Sequence, residues 1–214
     1  IASPKMSNED LFMLRRLVDA LGIGAVDYRV PPARPGDQDD LLIRADKNPN
    51  SRGAELIGLG RDDALGILHA ARARRIRCLW IFGHDLLASA FPEGEVLDGL
   101  LGAETVIFQG TNANATSAHA HLTLPAAAYP EREGTYTNFQ GRVQRFREAF
   151  PPLGHARPDW EILGRVLQEA RGASRPARAE DCFLDLAAAV PAFAGLTYRA
   201  LGATGQMIRT GTPA

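Results

Sequence analysis

The chain has 214 residues, of which 45% are hydrophobic and 23% charged, and its formal net charge is -1. This length predicts one large domain, or one domain with a small appendage, and the composition excludes a chain that is disordered throughout. The balanced charge excludes the basic footprint of a nucleic-acid-binding protein.

The two cysteines, Cys78 and Cys182, form no CxxC pair, so the chain by itself cannot assemble an iron–sulfur or zinc site. Cys78 lies in an apolar run and is predicted to be a small buried hydrophobe. Residues 1–5 do not have the pattern of a signal peptide, and no apolar stretch approaches the roughly 18 residues of a membrane span. The expected location is therefore the cytoplasm.

Residues 1–40 are predicted to form an N-terminal helix and a loop, as part of an interrupted domain. Ser7 and Asp10 have the spacing of a capping box. Apolar residues follow at helical spacing up to Leu21, and Gly22 is a plausible C-cap. Prolines then predict a loop over residues 31–36.

Residues 41–172 are predicted to form the main domain, with strands alternating with helices in chain order. Near-continuous apolar strands are typical of parallel sheets covered on both faces. The pattern therefore predicts an α/β fold: an open, doubly wound, mostly parallel sheet with helices on both faces. The strand candidates are residues 41–44, 76–82, 105–108 and 122–125, and the helix candidates are 53–59, a longer one from 61, 97–101 and 158–170.

The composition of the sequence changes after Pro130. Residues 131–147 are polar, contain few core apolar residues, and are predicted to form an irregular loop or a hairpin. Residues 173–214 are predicted to be an irregular C-terminal extension with a short helix near 187–190 and a fraying tail from Gly202 onward.

The most informative segment is Leu124-Pro125 followed by EREGTYTNFQGRVQ at residues 131–144. It resembles the LP…E-x-x-G-T-x-x-N-x-x-G-R-x-Q stretch of the molybdopterin oxidoreductase superfamily, which includes formate dehydrogenases, nitrate reductases and the large G subunit of NADH–quinone oxidoreductase (complex I). Residues 138–146 look most like the complex I branch. Shorter segments agree in order: SNED at 7–10, NSRGA at 50–54, WIFGHD at 80–85, where Leu86 replaces the usual proline, and PAFAGL at 191–196.

The resemblance implies a fragment that starts inside the α/β region and runs to the C-terminus of the G subunit. Such a fragment would be a non-redox structural domain that is not an enzyme by itself and holds no cofactor. The parent protein would carry [4Fe–4S] and [2Fe–2S] clusters and take part in electron transport from NADH to quinone. The expected partners are other subunits of the peripheral arm and the upstream iron–sulfur part of the same chain, at the cytoplasmic face of the inner membrane.

In the cofactor-bearing members of the family, this region helps to hold a molybdenum-bound pterin guanine dinucleotide. The resemblance therefore assigns Gly134, Thr135, Asn138, Gly141 and Arg142 as candidate cofactor-binding residues. Glycines let backbone N–H groups approach a ligand without a Cβ, the amide of Asn138 offers donors and acceptors to a purine or pterin edge, and a guanidinium can pair with a pyrophosphate.

The alternative is that these residues are vestigial, because the G subunit of complex I is described as having lost this cofactor. The glycines would then serve tight turns, and Arg142 would pair with Glu131 or Glu133. Two further hypotheses stay open: the cofactor-binding domain of an active molybdenum enzyme such as a formate dehydrogenase, and a standalone domain that binds a guanine nucleotide.

Other candidate sites are weaker. His119 and His121 have metal-like spacing but lack an evident third ligand. His84 and Asp85 have no nucleophile nearby, and a capping role for Asp85 is simpler. An apolar surface patch is expected where a missing neighbour docks.

Overall fold

The computed structural model describes residues 1–32, 34 and 36–209. Its helices are α1 (Asn8–Leu21), α2 (Ser51–Ile57), α3 (Ala64–Arg72), α4 (Glu93–Gly102), α5 (Asp159–Arg171), α6 (Ala179–Ala189) and α7 (Tyr198–Leu201). Its strands are β1 (Cys78–Phe82), β2 (Thr105–Gly110), β3 (Leu122–Pro125), β4 (Gly134–Thr137), β5 (Arg142–Phe146) and β6 (Gln206–Met207).

The chain divides into two compact units that interleave along the sequence. Unit 1 contains Ile1–Ser3, Gly24–Asn48 and Gly60–Ala126. Unit 2 contains Pro4–Ile23, Pro49–Leu59 and the chain from Ala127 onward. The division of the sequence into residues 1–40, 41–172 and 173–214 stays a prediction about domains.

Unit 1 is built on a parallel sheet with the strand order β1-β2-β3. Trp80 of β1 pairs with Ile107 of β2, and Ile107 pairs in turn with Leu122 of β3. Helices α3 and α4 pack against each other, and Gly99 permits this because a Cβ there would lie 2.9 Å from the Cβ of Leu68. The predicted α/β fold with a parallel sheet is confirmed.

Two predictions about unit 1 are wrong. Residues 41–44 do not form a strand, because the carboxylate of Asp39 accepts the backbone N–H groups that a strand would offer to a neighbour. Cys78 is exposed rather than buried. It is the first residue of β1, and the inward positions of that strand are taken by Leu79, Ile81 and Phe82.

Unit 2 is built around α1, which packs against α5 and α6 and also contacts α2 and β4. The capping box and the C-cap predicted for α1 are confirmed: Ser7 and Asp10 bond reciprocally, and Gly22 has a φ of 66°. The polar segment after residue 130 forms the antiparallel hairpin β4–β5, in which Gly134 pairs with Phe146.

The C-terminal extension is more ordered than predicted. Helix α6 is longer than the short helix expected near 187–190. Strand β6 pairs with β5, Ile208 N donates to Gly141 O at 2.8 Å, and Arg209 N donates to Ala192 O at 3.0 Å. The prediction that the tail frays from Gly202 onward is therefore wrong for the residues up to 209, because the hairpin offers them a strand edge. Residues 210–214 lie outside the described residues.

No helix among the described residues is both long and apolar enough to cross a lipid bilayer.

Candidate functional site

The hairpin of unit 2 brings the five predicted site residues together. Gly134 and Thr135 lie on β4, Asn138 and Gly141 lie in the turn, and Arg142 begins β5. The hairpin follows β3 in the sequence, yet it belongs to unit 2, whereas the parallel sheet belongs to unit 1. The assigned residues therefore form one local cluster on an antiparallel element, and not a loop of the parallel sheet.

The turn of the hairpin is held by its own polar atoms. Asn138 Oδ1 accepts hydrogen bonds from Gln140 N at 3.0 Å and from Arg142 N at 2.8 Å. Gly141 N donates to Asn138 O at 2.8 Å. Gly141 has a φ of 85°, and a Cβ there would lie 2.9 Å from Ile208 Cδ1. This turn requires a glycine for its backbone conformation and for its contact with the C-terminal segment.

Gly134 lets β4 approach the start of α1. A Cβ at this position would lie 2.8 Å from Glu9 Oε2 and 3.0 Å from Ser7 Cβ. The φ of Gly134 is not positive. The glycine is therefore required by the space beside the helix and not by the backbone dihedral.

The hydrogen-bonding groups on the outer edge of β4 bond to side chains instead of to a neighbouring strand. Thr135 N and Thr135 Oγ1 donate to the carboxylate of Glu9 at 2.8 and 2.9 Å. Asn8 Nδ2 donates to both Thr135 Oγ1 and Thr137 Oγ1 at 3.0 Å. Thr137 N donates to Asn50 Oδ1 at 2.7 Å. Buried backbone groups that lack a partner are costly, so these side chains stabilise the strand edge.

Three separate segments of the sequence therefore meet in one buried network. The SNED segment supplies Asn8 and Glu9, the NSRGA segment supplies Asn50, and the GTYT segment supplies the two threonines. Gly53 is part of the same packing, since a Cβ there would lie 2.2 Å from Asn8 Oδ1. These segments carry the family resemblance, and in the fold they contact one another.

Arg142 contacts the C-terminal segment. Its Nη1 donates to Gly205 O at 3.3 Å. The expected pairing with Glu131 or Glu133 is wrong, because Glu131 accepts Ala128 N at 2.8 Å and Glu133 forms an ion pair with Arg145 at 2.7 Å.

Sequence reasoning missed a buried charge cluster centred on Arg132. The side chain of Arg132 is 5% exposed and forms an ion pair with Asp10, and Asp159 Oδ2 lies 3.9 Å from its Nη1. Asp10 Oδ1 also accepts Trp160 N at 2.9 Å, so it ties α1 to the start of α5. Burial lowers the pKa of Arg132, but the two carboxylates outweigh burial and raise it above the usual value. From the sequence, Asp10 was assigned only a role in capping α1.

Glu9 is a second buried carboxyl group in unit 2. Glu9 Oε1 accepts a hydrogen bond from Tyr198 Oη at 2.9 Å, in addition to those from Thr135. Burial raises the pKa of Glu9 to about 7, and the hydrogen bond from the backbone of Thr135 opposes that rise. Burial, with the nearby Glu9 carboxylate, also raises the pKa of Tyr198.

The arrangement of the five residues does not fit a pterin dinucleotide. The backbone N–H groups of Thr135 and Gly141 and the amide oxygen of Asn138 already bond within the chain. The two glycines face Glu9 and Ile208, not an open cleft. An anionic ligand would also meet the carboxyl group of Glu9 beside β4.

Two residues of the other candidate sites, His121 and Asp85, have structural partners. His121 Nδ1 accepts Val106 N at 3.0 Å. Asp85 Oδ1 accepts both Thr116 N and Thr116 Oγ1, at 3.2 and 2.9 Å, so it bonds to a distant loop residue, and the predicted capping role is wrong because no helix begins at Asp85. Among the residues that the structure describes, no group of three or more His, Cys, Asp or Glu side chains could hold a metal ion.

Unit 2 also contains an open groove of about 670 Å³ between α1, the end of α2 and the end of α6. Its apolar wall includes Phe12, Ile57 and Val190. Its rim carries two ion pairs, Arg15–Asp19 at 2.5 Å and Arg16–Asp185 at 3.3 Å. None of the five predicted site residues lines this groove.

Comparisons with known proteins identify relatives for most of the chain. Residues 45–169 match the family described as Molybdopterin oxidoreductase. The alpha subunit of the NADPH-Fe(3+) oxidoreductase of Geobacter sulfurreducens is 33% identical over 190 residues, which cover 86% of this chain and 21% of that protein. The G subunit, numbered 2, of the NADH-quinone oxidoreductase of Rhizobium meliloti is 33% identical over 177 residues, which cover 80% of this chain and 21% of that protein.

The alpha subunit of F420-dependent formate dehydrogenase 2 of Methanococcus maripaludis is 33% identical over 150 residues, which cover 69% of this chain and 22% of that protein. The chain thus spans about a fifth of the length of these curated relatives. Among solved structures, the acetylene hydratase of Pelobacter acetylenicus is similar with a TM-score of 0.51 and 12% identity, over 65% of this chain and 20% of that chain. At this identity the likeness concerns the fold alone.

Proposed function

Because the chain belongs to the molybdopterin oxidoreductase family, we propose that it is a redox-inactive structural part of the G subunit of an NADH–quinone oxidoreductase. In this proposal the five hairpin residues are vestigial: they keep the family's local architecture and hold no pterin. The relatives include both such a G subunit and formate dehydrogenases, at similar identity. Because the identities do not separate these branches, the proposal rests on the geometry of the site.

The observation that supports the proposal is that the polar groups of the hairpin already form hydrogen bonds within the chain. The edge of β4 that does not pair with β5 is bonded to Asn8, Glu9 and Asn50. The guanidinium of Arg142 donates to a backbone carbonyl, that of Gly205. A cofactor would have to displace several of these hydrogen bonds, and each buried group left without a partner would cost about 1–3 kcal/mol.

In this role the chain shapes the assembly and carries no electrons. Iron–sulfur clusters in other parts of the protein would transfer electrons from NADH towards quinone. The partners would be further subunits of the peripheral arm, at the cytoplasmic face of the inner membrane. The hairpin network would keep unit 2 rigid as a packing surface.

The test is the metal and pterin content of the intact protein that contains this chain. We expect iron and acid-labile sulfide in that protein, with neither molybdenum, tungsten nor pterin at a stoichiometric level. We also expect the assembly that contains this protein to oxidise NADH with a quinone acceptor. Mass spectrometry and pterin fluorescence measure the cofactor, and one molybdenum and a pterin per chain would refute the proposal.

A pair of variants sharpens the test. If the hairpin holds a cofactor, Arg142→Ala must lower the molybdenum content, whereas Arg165→Ala must not, since Arg165 is an exposed arginine on α5. If the hairpin is vestigial, both variants have the metal content of the parent protein, and only the stability of Arg142→Ala changes.

The second candidate is the cofactor-binding part of a molybdenum enzyme such as a formate dehydrogenase. The identity to the Methanococcus maripaludis protein favours it. It predicts oxidation of formate by the intact protein, with a suitable acceptor, and loss of that activity on removal of molybdenum. Formate oxidation together with bound pterin would establish this second function in place of the first.

A further inference from the structure

The outer edge of β1 is the edge that does not pair with β2, and β1 lies at the end of its sheet. Gly83 N, just after β1, donates to Gln109 O of β2 at 2.8 Å. Backbone groups alternate between the two edges of a parallel strand, so every second residue of β1 faces away from β2. These outward-facing residues are Cys78, Trp80 and Phe82.

Ile1 already pairs with this outer edge. Phe82 N donates to Ile1 O at 3.0 Å, and Ile1 N donates to Trp80 O at 2.6 Å. One residue that bonds in this way to both neighbours of Ile81 is the repeating unit of a parallel ladder. Ile1 therefore occupies the place of a fourth strand, beside β1 and parallel to it.

The nitrogen of Ile1 lies in surroundings that suit a peptide group. The residue is 6% exposed and shares a core with Leu79 and Ile81. Burial lowers the pKa of its amino group to about 5, although the charge of Asp27 opposes this change. A peptide N–H is uncharged, so it can donate to Trp80 O in this place without the cost of burying a charge.

The next position of the ladder lies toward the start of β1. There, the second residue before Ile1 would donate its N–H to Cys78 O and accept a hydrogen bond from Trp80 N. A further strand rises by about 3.3 Å per residue, in step with β1, so Ile1 need not move. Cys78 is exposed, so this end of the edge is accessible to a further strand.

The pairing of Ile1 decides which polypeptide can occupy this edge. Its two hydrogen bonds to β1 set the direction and the register, and the residue joined to its nitrogen is one peptide bond away. On the opposite side, Ala2 N donates to Asp27 O at 2.8 Å, so the segment is held between β1 and Asp27. Another polypeptide could pair here only if the chain joined to Ile1 turned away from β1 at once.

We propose that the polypeptide joined to the nitrogen of Ile1 forms a parallel strand on the outer edge of β1, with the third residue before Ile1 beside Cys78. This inference rests on the proposed function in one respect, because both require that the chain is part of a longer subunit. The chain spans about a fifth of the length of its curated relatives. The inference adds how the upstream part of that subunit is attached to unit 1.

The first test is hydrogen exchange, resolved at single amides, in the intact protein that contains this chain. Trp80 N faces the proposed strand, whereas Leu79 N faces β2 and is the control. We expect both amides to exchange at least about a hundredfold more slowly than in an unfolded peptide. Fast exchange at Trp80 would overturn the inference, because it would show that the outer edge of β1 is unpaired.

A cross-link in the intact protein tests the register and the identity of the strand. One variant carries a cysteine at the third residue before Ile1, beside Cys78. The matched control carries it at the second residue before Ile1, whose side chain points to the opposite face of the sheet. Dibromobimane, a short reagent that bridges two thiols, is expected to link the first variant to Cys78 and not the control. No link in the first variant, or a link in the control, would overturn the inference.

The sequence of the intact protein provides a third check. The second residue before Ile1 would share the face of Ile1 and Leu79, which is buried, so we expect an apolar residue there. A charged residue at this position would contradict the inference, because it would face the core. So would a proline, which has no N–H to donate to Cys78 O.

The two proposals can fail separately. Stoichiometric molybdenum and pterin would refute the proposed function and leave the pairing of β1 unaffected. A longer subunit without molybdenum, in which the amide of Trp80 exchanges quickly, would refute only the inference. A mature protein whose first residue is Ile1 would refute both.

Discussion

The acidic residues Glu9 and Asp10 are adjacent in the sequence, but their buried side chains have different electrostatic partners. Asp10 forms an ion pair with Arg132, which balances its charge. Glu9 accepts hydrogen bonds from Thr135 and Tyr198, which are uncharged donors, so burial raises its pKa to about 7. One turn of α1 thus holds one carboxylate that is paired with an arginine and one carboxyl group whose pKa is raised to about 7.

The raised pKa of Glu9 predicts a pH-dependent stability. The folded chain holds the proton more tightly than the unfolded chain, whose pKa is about 4.5. Its contribution to the free energy of unfolding is therefore fully present below about pH 4.5 and is lost as the pH rises through about 7. The shift corresponds to a contribution of about 3 kcal/mol.

Glu9→Gln removes this titration. We expect the free energy of unfolding of the parent protein, measured by urea denaturation, to fall between pH 4.5 and 7 relative to that of Glu9→Gln. A constant offset between the two proteins reflects only the altered hydrogen bonds. Parallel pH profiles would contradict the prediction.

Arg132 is predicted to be required for the stability of unit 2. Arg132→Met leaves Asp10 and Asp159 buried without their cation, and breaking a buried pair in this way costs about 3–5 kcal/mol. The matched control is Arg165→Met. It removes an exposed ion pair with Glu161 on α5, which contributes about 0–1 kcal/mol. Equal losses in urea denaturation would show that the cluster around Arg132 is not stabilising.

At the scale of elements, the β4–β5 hairpin depends on helix α1. One edge of β4 pairs with β5, and the other is bonded by side chains of α1 and of the residue that precedes α2. Exposed strand edges favour aggregation, and here side chains cover the edge. The position of the helix and the register of the hairpin are therefore coupled.

Gly134→Ala tests this coupling. The added Cβ would lie 2.8 Å from Glu9 Oε2, so the carboxyl group must move and its bonds to Thr135 must lengthen. We expect a loss of about 1–3 kcal/mol in the free energy of unfolding and faster hydrogen exchange at the amide of Thr135.

Gly94→Ala on α4 is the control, because nothing lies within 4 Å of the added Cβ. Alanine in an exposed helix position is expected to stabilise by up to about 1 kcal/mol. If both alanine variants were stabilising, the close approach of β4 to α1 would not be a constraint.

At the scale of the whole molecule, the two units can be followed separately. The protein has two tryptophans, and Trp80 lies in unit 1 while Trp160 lies in unit 2. Trp80→Phe leaves fluorescence from unit 2 alone, and Trp160→Phe leaves fluorescence from unit 1 alone. Because each unit buries its own apolar residues, each fluorescence signal should report the stability of its own unit.

We expect Arg132→Met to lower the urea midpoint of the Trp160 signal in the Trp80→Phe background. In the Trp160→Phe background, the same substitution should shift the midpoint of the Trp80 signal much less. Equal shifts of both signals would indicate that the two units unfold as one cooperative body.

Local signals in the sequence were sufficient to predict most helices and strands and to identify the family. Ser7 and Gly22 mark the ends of α1, and the apolar runs mark β1, β2 and β3, because capping and hydrophobic runs are properties of neighbouring residues. The GTYTNFQGR segment identified the family without any knowledge of the fold. The run at residues 41–44 was misassigned, since the effect of the Asp39 carboxylate on the following N–H groups depends on the geometry of the turn.

The sequence by itself therefore determined the α/β class, the family and the position of the polar segment that carries the resemblance. The tertiary structure decided what that segment contacts. Glu9 and Asn50 are 126 and 87 residues away from the threonines to which they bond, and no local pattern encodes such pairings. It also decided the burial of Arg132, because a polar residue is stable inside a protein only where distant chain segments supply its partners.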